Sequence, residues 1–102
     1  MEQSTIVLIT GANAGLGFQM VRALCDSDKG YTILLGGRSP EKAEHAANAV
    51  KQEFSSTLSQ VEAIQIDIEQ DDSIQQAYNH VAKKFGRLDA LINNAGMRHL
   101  PP

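Results

Sequence analysis

Cysteine occurs once, as Cys25, so no internal disulfide can form, which excludes a disulfide-stapled fold. Runs of basic residues are missing too. Nine lysines and arginines stand against twelve aspartates and glutamates, a net charge of −3, with no stretch that could track a nucleic-acid backbone. No apolar run approaches the ~20 residues of a membrane span. The polar start MEQST lacks the basic-then-apolar pattern of a secretion signal. Repeats, linkers and low-complexity segments are also lacking. These absences leave no nucleic-acid partner and no membrane, and predict a cytoplasmic protein. What is present is 42% apolar residues in 102, enough for one packed domain over residues 1–102.

Apolar periodicity gives the order of elements. TIVLI (5–9) is β-branched and continuous, as a strand buried on both faces should be. From Leu16 the pattern turns helical, with Leu16, Met20, Val21 and Leu24 as the apolar stripe. YTILL (31–35) is a second strand, ended by Gly36-Gly37. Ser39-Pro40 starts a helix, serine as N-cap and proline in the first turn, and Ala43, Ala46, Ala47, Val50 and Phe54 form its stripe. After the loop SSTLSQ, VEAIQIDI is the third strand, ending near Asp67. Asp71 and Asp72 suit the positive start of a third helix. Its stripe is Ile74, Ala77, Val81 and Phe85, and Gly86 is its stop. LDALIN is the fourth strand. Alternation with short connections predicts an α/β, doubly wound parallel sheet, Rossmann-like but partial. It has four strands in the order 3-2-1-4 and three helices, the first two on one face and the third on the other.

Between the first strand and helix lies TGANAGLG (10–17). A strand, a glycine turn and a helix N-terminus form a cradle for phosphate; the bland reading is a tight turn with close helix packing. The spacing Gly-x-x-x-Gly-x-Gly lacks the terminal Gly-Lys-Ser/Thr of a P-loop, which disfavours magnesium–triphosphate chemistry. In a dinucleotide-binding unit the end of the second strand meets the adenosine ribose. No acid stands there to take ribose hydroxyls. Instead Gly37 is followed by Arg38, whose guanidinium suits a 2′-phosphate, so NADP(H) is preferred over NAD(H). Arg38 read blandly is a solvated cation before a helix. Asp67 faces the same crevice, where its carboxylate can accept from an adenine amino group with the Ile68 N–H beside it; otherwise Asp67 is a loop aspartate near a helix start.

The turn Thr10–Gly17, Asp67, and Asn93-Asn94-Ala95-Gly96 together resemble the short-chain dehydrogenase/reductase family, in its single-domain TGxxxGxG branch, over residues 5–96. The resemblance implies that Gly11, Asn13, Gly15, Leu16 and Gly17 line pyrophosphate and ribose. Asn93, Ala95 and Gly96 would line the cofactor groove, and Arg38 matches NADP-preferring members. It implies hydride transfer between the nicotinamide and a carbonyl or alcohol. The family's catalytic serine and Tyr-x-x-x-Lys follow the Asn-Asn-Ala-Gly segment and are absent from this sequence. Tyr78 has Ala82 four residues on, with Lys83 one place too far, and Tyr31 has Leu35. His45, His80 and His99 are dispersed, Cys25 reads as a packing residue, and no metal-ligand spacing occurs. No catalytic residue is therefore assigned. The expectation is the N-terminal, cofactor-binding part of an NADP-dependent reductase, truncated before its catalytic segment. The alternative is a non-catalytic nucleotide-binding or interaction module, or a non-functional truncated product. An open fourth-strand edge is expected to favour self-association or to need the missing C-terminal part.

Overall fold

A computed structural model describes residues 4–95. The elements are β1 (Thr5–Ile9), α1 (Gly15–Asp26), β2 (Tyr31–Gly37), α2 (Pro40–Glu53), β3 (Gln60–Gln65), α3 (Asp71–Phe85) and β4 (Ala90–Ile92). The strands form one parallel sheet in the order β3-β2-β1-β4, the Rossmann-like arrangement expected from the alternation. Ile9 pairs with Leu35 on one side and Ile92 on the other. The turns after β1, β2 and β4 therefore emerge at one end of the sheet.

Residue alternation divides the core between two layers. Val7, Ile9, Ile33 and Leu35 pack beneath α1 and α2 with Val21, Cys25, Ala43, Ala46, Ala47 and Val50. Ile6, Leu8 and Leu34 face the other way, with Ile64, Ile66, Ala77 and Val81 under α3. Apolar side chains are needed on both faces, which is why β1 and β2 read as unbroken apolar runs. Glu62 of β3 also pairs with Lys84 and with His80 of α3, the latter at 2.9 Å. Burial pushes the Glu62 carboxyl up, but hydrogen bonds from Lys84 and His80 outweigh it and hold the group below its ordinary value.

α2 and α3 begin and end where their signals stand. Ser39 Oγ accepts from the Lys42 N–H at 3.3 Å, with Pro40 opening α2. Gly86 closes α3 in the left-handed region at φ 79°. α1 differs from expectation. Its buried stripe is Gly17, Val21 and Cys25, and Leu16 is 61% exposed. Steps of four residues from Gly17 select the inner face, and Leu16, one residue earlier, is turned about 100° away from it.

The strand ends differ as well. β2 continues through its glycines, with Gly36 and Gly37 paired to Ile64 and Gln65. A Cβ at Gly36 would lie 2.8 Å from Ile66 Cγ2 and 2.9 Å from the Ile9 carbonyl oxygen, so the narrowness is needed inside the sheet. β3 stops at Gln65, before Asp67, and β4 covers only Ala90–Ile92 of LDALIN. Ahead of β4, the Asp89 N–H donates to the Ile6 carbonyl at 2.9 Å while Asp89 Oδ2 accepts from the Ile6 N–H at 2.8 Å. Side-chain pairing there replaces the ladder. The hydrogen bond from Ile6, then that from Arg87, holds the Asp89 carboxyl below its ordinary value. Among the described residues no helix is long and apolar enough to cross a membrane.

Candidate functional site

The site is built around Thr10, which follows β1 and is 2% exposed. Its N–H donates to the Ile92 carbonyl at 3.0 Å. Its hydroxyl donates to Asn93 Oδ1 at 3.0 Å and accepts from the Ala95 N–H at 3.1 Å. Asn94 reaches back, its Nδ2 donating to the Gly11 carbonyl at 3.1 Å. On the other side the Ala12 N–H donates to the Gly36 carbonyl at 2.8 Å. The glycine turn is thus held from both neighbouring strands.

Each glycine of the turn answers a separate demand. Gly11 has φ +60°, and a Cβ there would stand 3.1 Å from the Ala95 methyl. Gly15 has φ +61°, and a Cβ would meet nothing within 4 Å, because its open side faces a cleft. Gly17 has no positive φ; a Cβ would lie 2.6 Å from the Gly11 carbonyl oxygen and 2.8 Å from Asn94 Nδ2. Gly17 therefore lets α1 approach the turn, beneath the cleft. α1 starts at Gly15 with Ala14 as N-cap. No side chain caps it and no acid sits in its first turn. Its free N–H groups and positive end are left for an anion.

The cleft has a volume of about 600 Å³. It brings together Gly11, Asn13, Gly15, Leu16, Arg38, Asp67, Ile68 and Ala95, all expected from sequence. The exposure of Leu16 follows from this placement. Asn93 and Gly17 do not line the cleft but support it, Asn93 through Thr10 and Gly17 through α1. Gly96 and His99 lie outside the described residues. Asn94, named in the Asn-Asn-Ala-Gly segment but not assigned to the groove, lines the cleft as well. Gly36 and Gly37 do not line the cleft, since both are enclosed by neighbouring residues.

Arg38 is exposed at the cleft, and its guanidinium has no hydrogen-bond or ion-pair partner among the described residues. Its carbonyl accepts from Gln65 Nε2 at 3.3 Å. Across from it, the Asp67 N–H donates to Ser73 Oγ at 2.8 Å and Asp67 Oδ1 accepts from the Glu69 N–H at 3.0 Å. Asp67 therefore closes its own turn while also lining the cleft. Tyr31, Tyr78, His45, His80 and Cys25 do not line it. Cys25 is buried in the core, which pushes its thiol pKa up. Among the described residues no cluster of three histidine, cysteine or acidic side chains is placed to hold a metal ion.

Known proteins share both the sequence and the arrangement. The family model for short chain dehydrogenase matches residues 5–102. Short-chain dehydrogenase anuI of Penicillium roqueforti is 51% identical over 92 residues, which cover 90% of this chain and 35% of that protein. The structure of menthone neomenthol reductase from Mentha piperita superposes with a TM-score of 0.82 at 28% identity, covering 91% of this chain and 32% of that one. The N-domain, with NADP, of a bacterial malonyl-CoA reductase gives a TM-score of 0.79 at 31% identity over 88% of this chain and 16% of that one. The chain thus spans about a third of the length of the first two of these relatives. Sheet order, glycine turn and family match agree, and the chain belongs to the short-chain dehydrogenase family.

Proposed function

We propose that these residues are the N-terminal, cofactor-binding part of an NADP-dependent short-chain dehydrogenase/reductase. The observation that carries the reading is Arg38. A guanidinium without a partner among the described residues stands at a cleft that also holds an uncapped helix start, and no acid precedes it in β2. The residues fit a dinucleotide, because the side of Gly15 that a Cβ would fill opens into the cleft. The N–H groups at the start of α1 would hold the pyrophosphate. Arg38 would hold the 2′-phosphate through paired, charged hydrogen bonds. Asp67 and Ile68 would meet the adenine, and Ala95, with Asn94 behind the turn, would border the remaining half. When bound, NADP(H) supplies or accepts the hydride exchanged with a carbonyl or alcohol. The solved N-domain of a bacterial malonyl-CoA reductase, with NADP, supports the choice of cofactor.

The proton donor and the substrate pocket come, on this reading, from the part of the family's length that the chain does not span. The β4 edge, where Leu91 is 45% exposed, takes another strand there or from a second copy. The whole protein works in the cytoplasm. The test is calorimetric titration with NADP⁺ and NAD⁺ before and after Arg38→Ala. The substitution should weaken NADP⁺ by roughly 1.5–3 kcal/mol and leave NAD⁺ nearly unchanged. Equal losses for both cofactors contradict the proposal.

A further inference from the structure

Gly37 closes β2 without a positive φ, so backbone conformation does not demand glycine there. Its surroundings do. A Cβ at this position would lie 3.1 Å from Asn13 Oδ1 and 3.4 Å from the Ala43 methyl. The first distance is tighter than ordinary contact, and the second is contact with α2 on the other side. Asn13 lines the cleft whereas Gly37 does not. The Asn13 carboxamide therefore covers Gly37 from the cleft side. A carboxylate at the end of a second strand is the usual means of holding ribose hydroxyls and repelling a 2′-phosphate. Here that position has no side chain, and the Asn13 carboxamide oxygen lies 3.1 Å from where a Cβ would stand.

We propose that Asn13 is a specificity-determining residue: by standing over Gly37 it shuts out recognition of ribose hydroxyls from the end of β2 and leaves the discrimination to the neighbouring Arg38. The inference rests on the cofactor reading above but concerns a different residue pair. It makes an acid at position 37 insufficient by itself to recruit NAD⁺.

The experiment titrates NAD⁺ and NADP⁺ into the full chain and its Gly37→Asp, Asn13→Ala and doubly substituted forms, with circular dichroism confirming the fold. Gly37→Asp alone should weaken NADP⁺ by about tenfold or more and change NAD⁺ affinity by less than about twofold. The doubly substituted form should bind NAD⁺ about tenfold more tightly than Gly37→Asp does. A gain in NAD⁺ affinity from Gly37→Asp alone, as large as in the double form, overturns the proposal. Thermal unfolding of Gly37→Ala, which adds only the Cβ, tests the contact without a ligand. The midpoint should fall, and Asn13→Ala should restore part of the loss; simple additivity overturns the contact itself. Failure of the unsubstituted chain to bind either cofactor overturns the cofactor reading and the specificity role together, while the unfolding cycle still reports on the contact.

Discussion

Thr10 uses both capacities of its hydroxyl, donating to Asn93 and accepting from the Ala95 N–H, in a place where water has almost no access. Thr10→Val keeps the shape and removes both bonds. It should destabilise the fold by about 1–3 kcal/mol, since the groups left behind are partly buried and lose their partner; urea unfolding measures this directly. The three glycines of the turn were recognisable in the sequence as a group, but their separate reasons were not. Gly11 answers to Ala95, more than 80 residues away in the chain, and no local pattern encodes that contact. The same holds for Asn93 and Asn94. Adjacent residues in extended chain point opposite ways, and only the packed turn decides that Asn94 reaches Gly11 while Asn93 meets Thr10.

At the level of elements, the caps were plain because their causes are local: Ser39-Pro40 before α2 and Gly86 after α3 act within one turn. Of the apolar stripe on α1, Val21 lies in the core and Met20 and Leu24 pack against it, whereas Leu16 is apolar for the cleft rather than for the core. β4 was drawn too long because Asp89 pairs through its carboxylate, a choice invisible to hydrophobic patterning. That carboxylate and Glu62 give the fold an acid limb. Both have folded-state pKa values below their ordinary ones. Their stabilisation is therefore complete above the unfolded-state values of about 4 and is lost as pH falls through the lower folded-state values. The urea midpoint should drop over that window, and Asp89→Asn should flatten the drop; an unchanged acid limb in this variant contradicts the role given to the Ile6–Asp89 pairing.

Taken whole, the described residues form a four-stranded sheet with its cleft at the strand ends, where doubly wound folds bind ligands. Neither tyrosine lines that cleft, and neither has a lysine four residues on. The 102 residues by themselves should therefore show no NADPH oxidation with aldehydes, ketones or quinones, because a proton donor and a positioned substrate are both needed. Turnover that purifies with this chain contradicts that expectation. The most direct measurement is a fluorescence titration of NADPH into the chain and into Gly15→Val, with circular dichroism showing that both are folded. Gly15 is open to the cleft at φ +61°, so valine strains the turn and puts a branched side chain where the backbone would meet pyrophosphate. Saturable binding by the unsubstituted chain and its loss in folded Gly15→Val is the result expected of a dinucleotide cradle. Equal binding by both forms, or none by either, contradicts it.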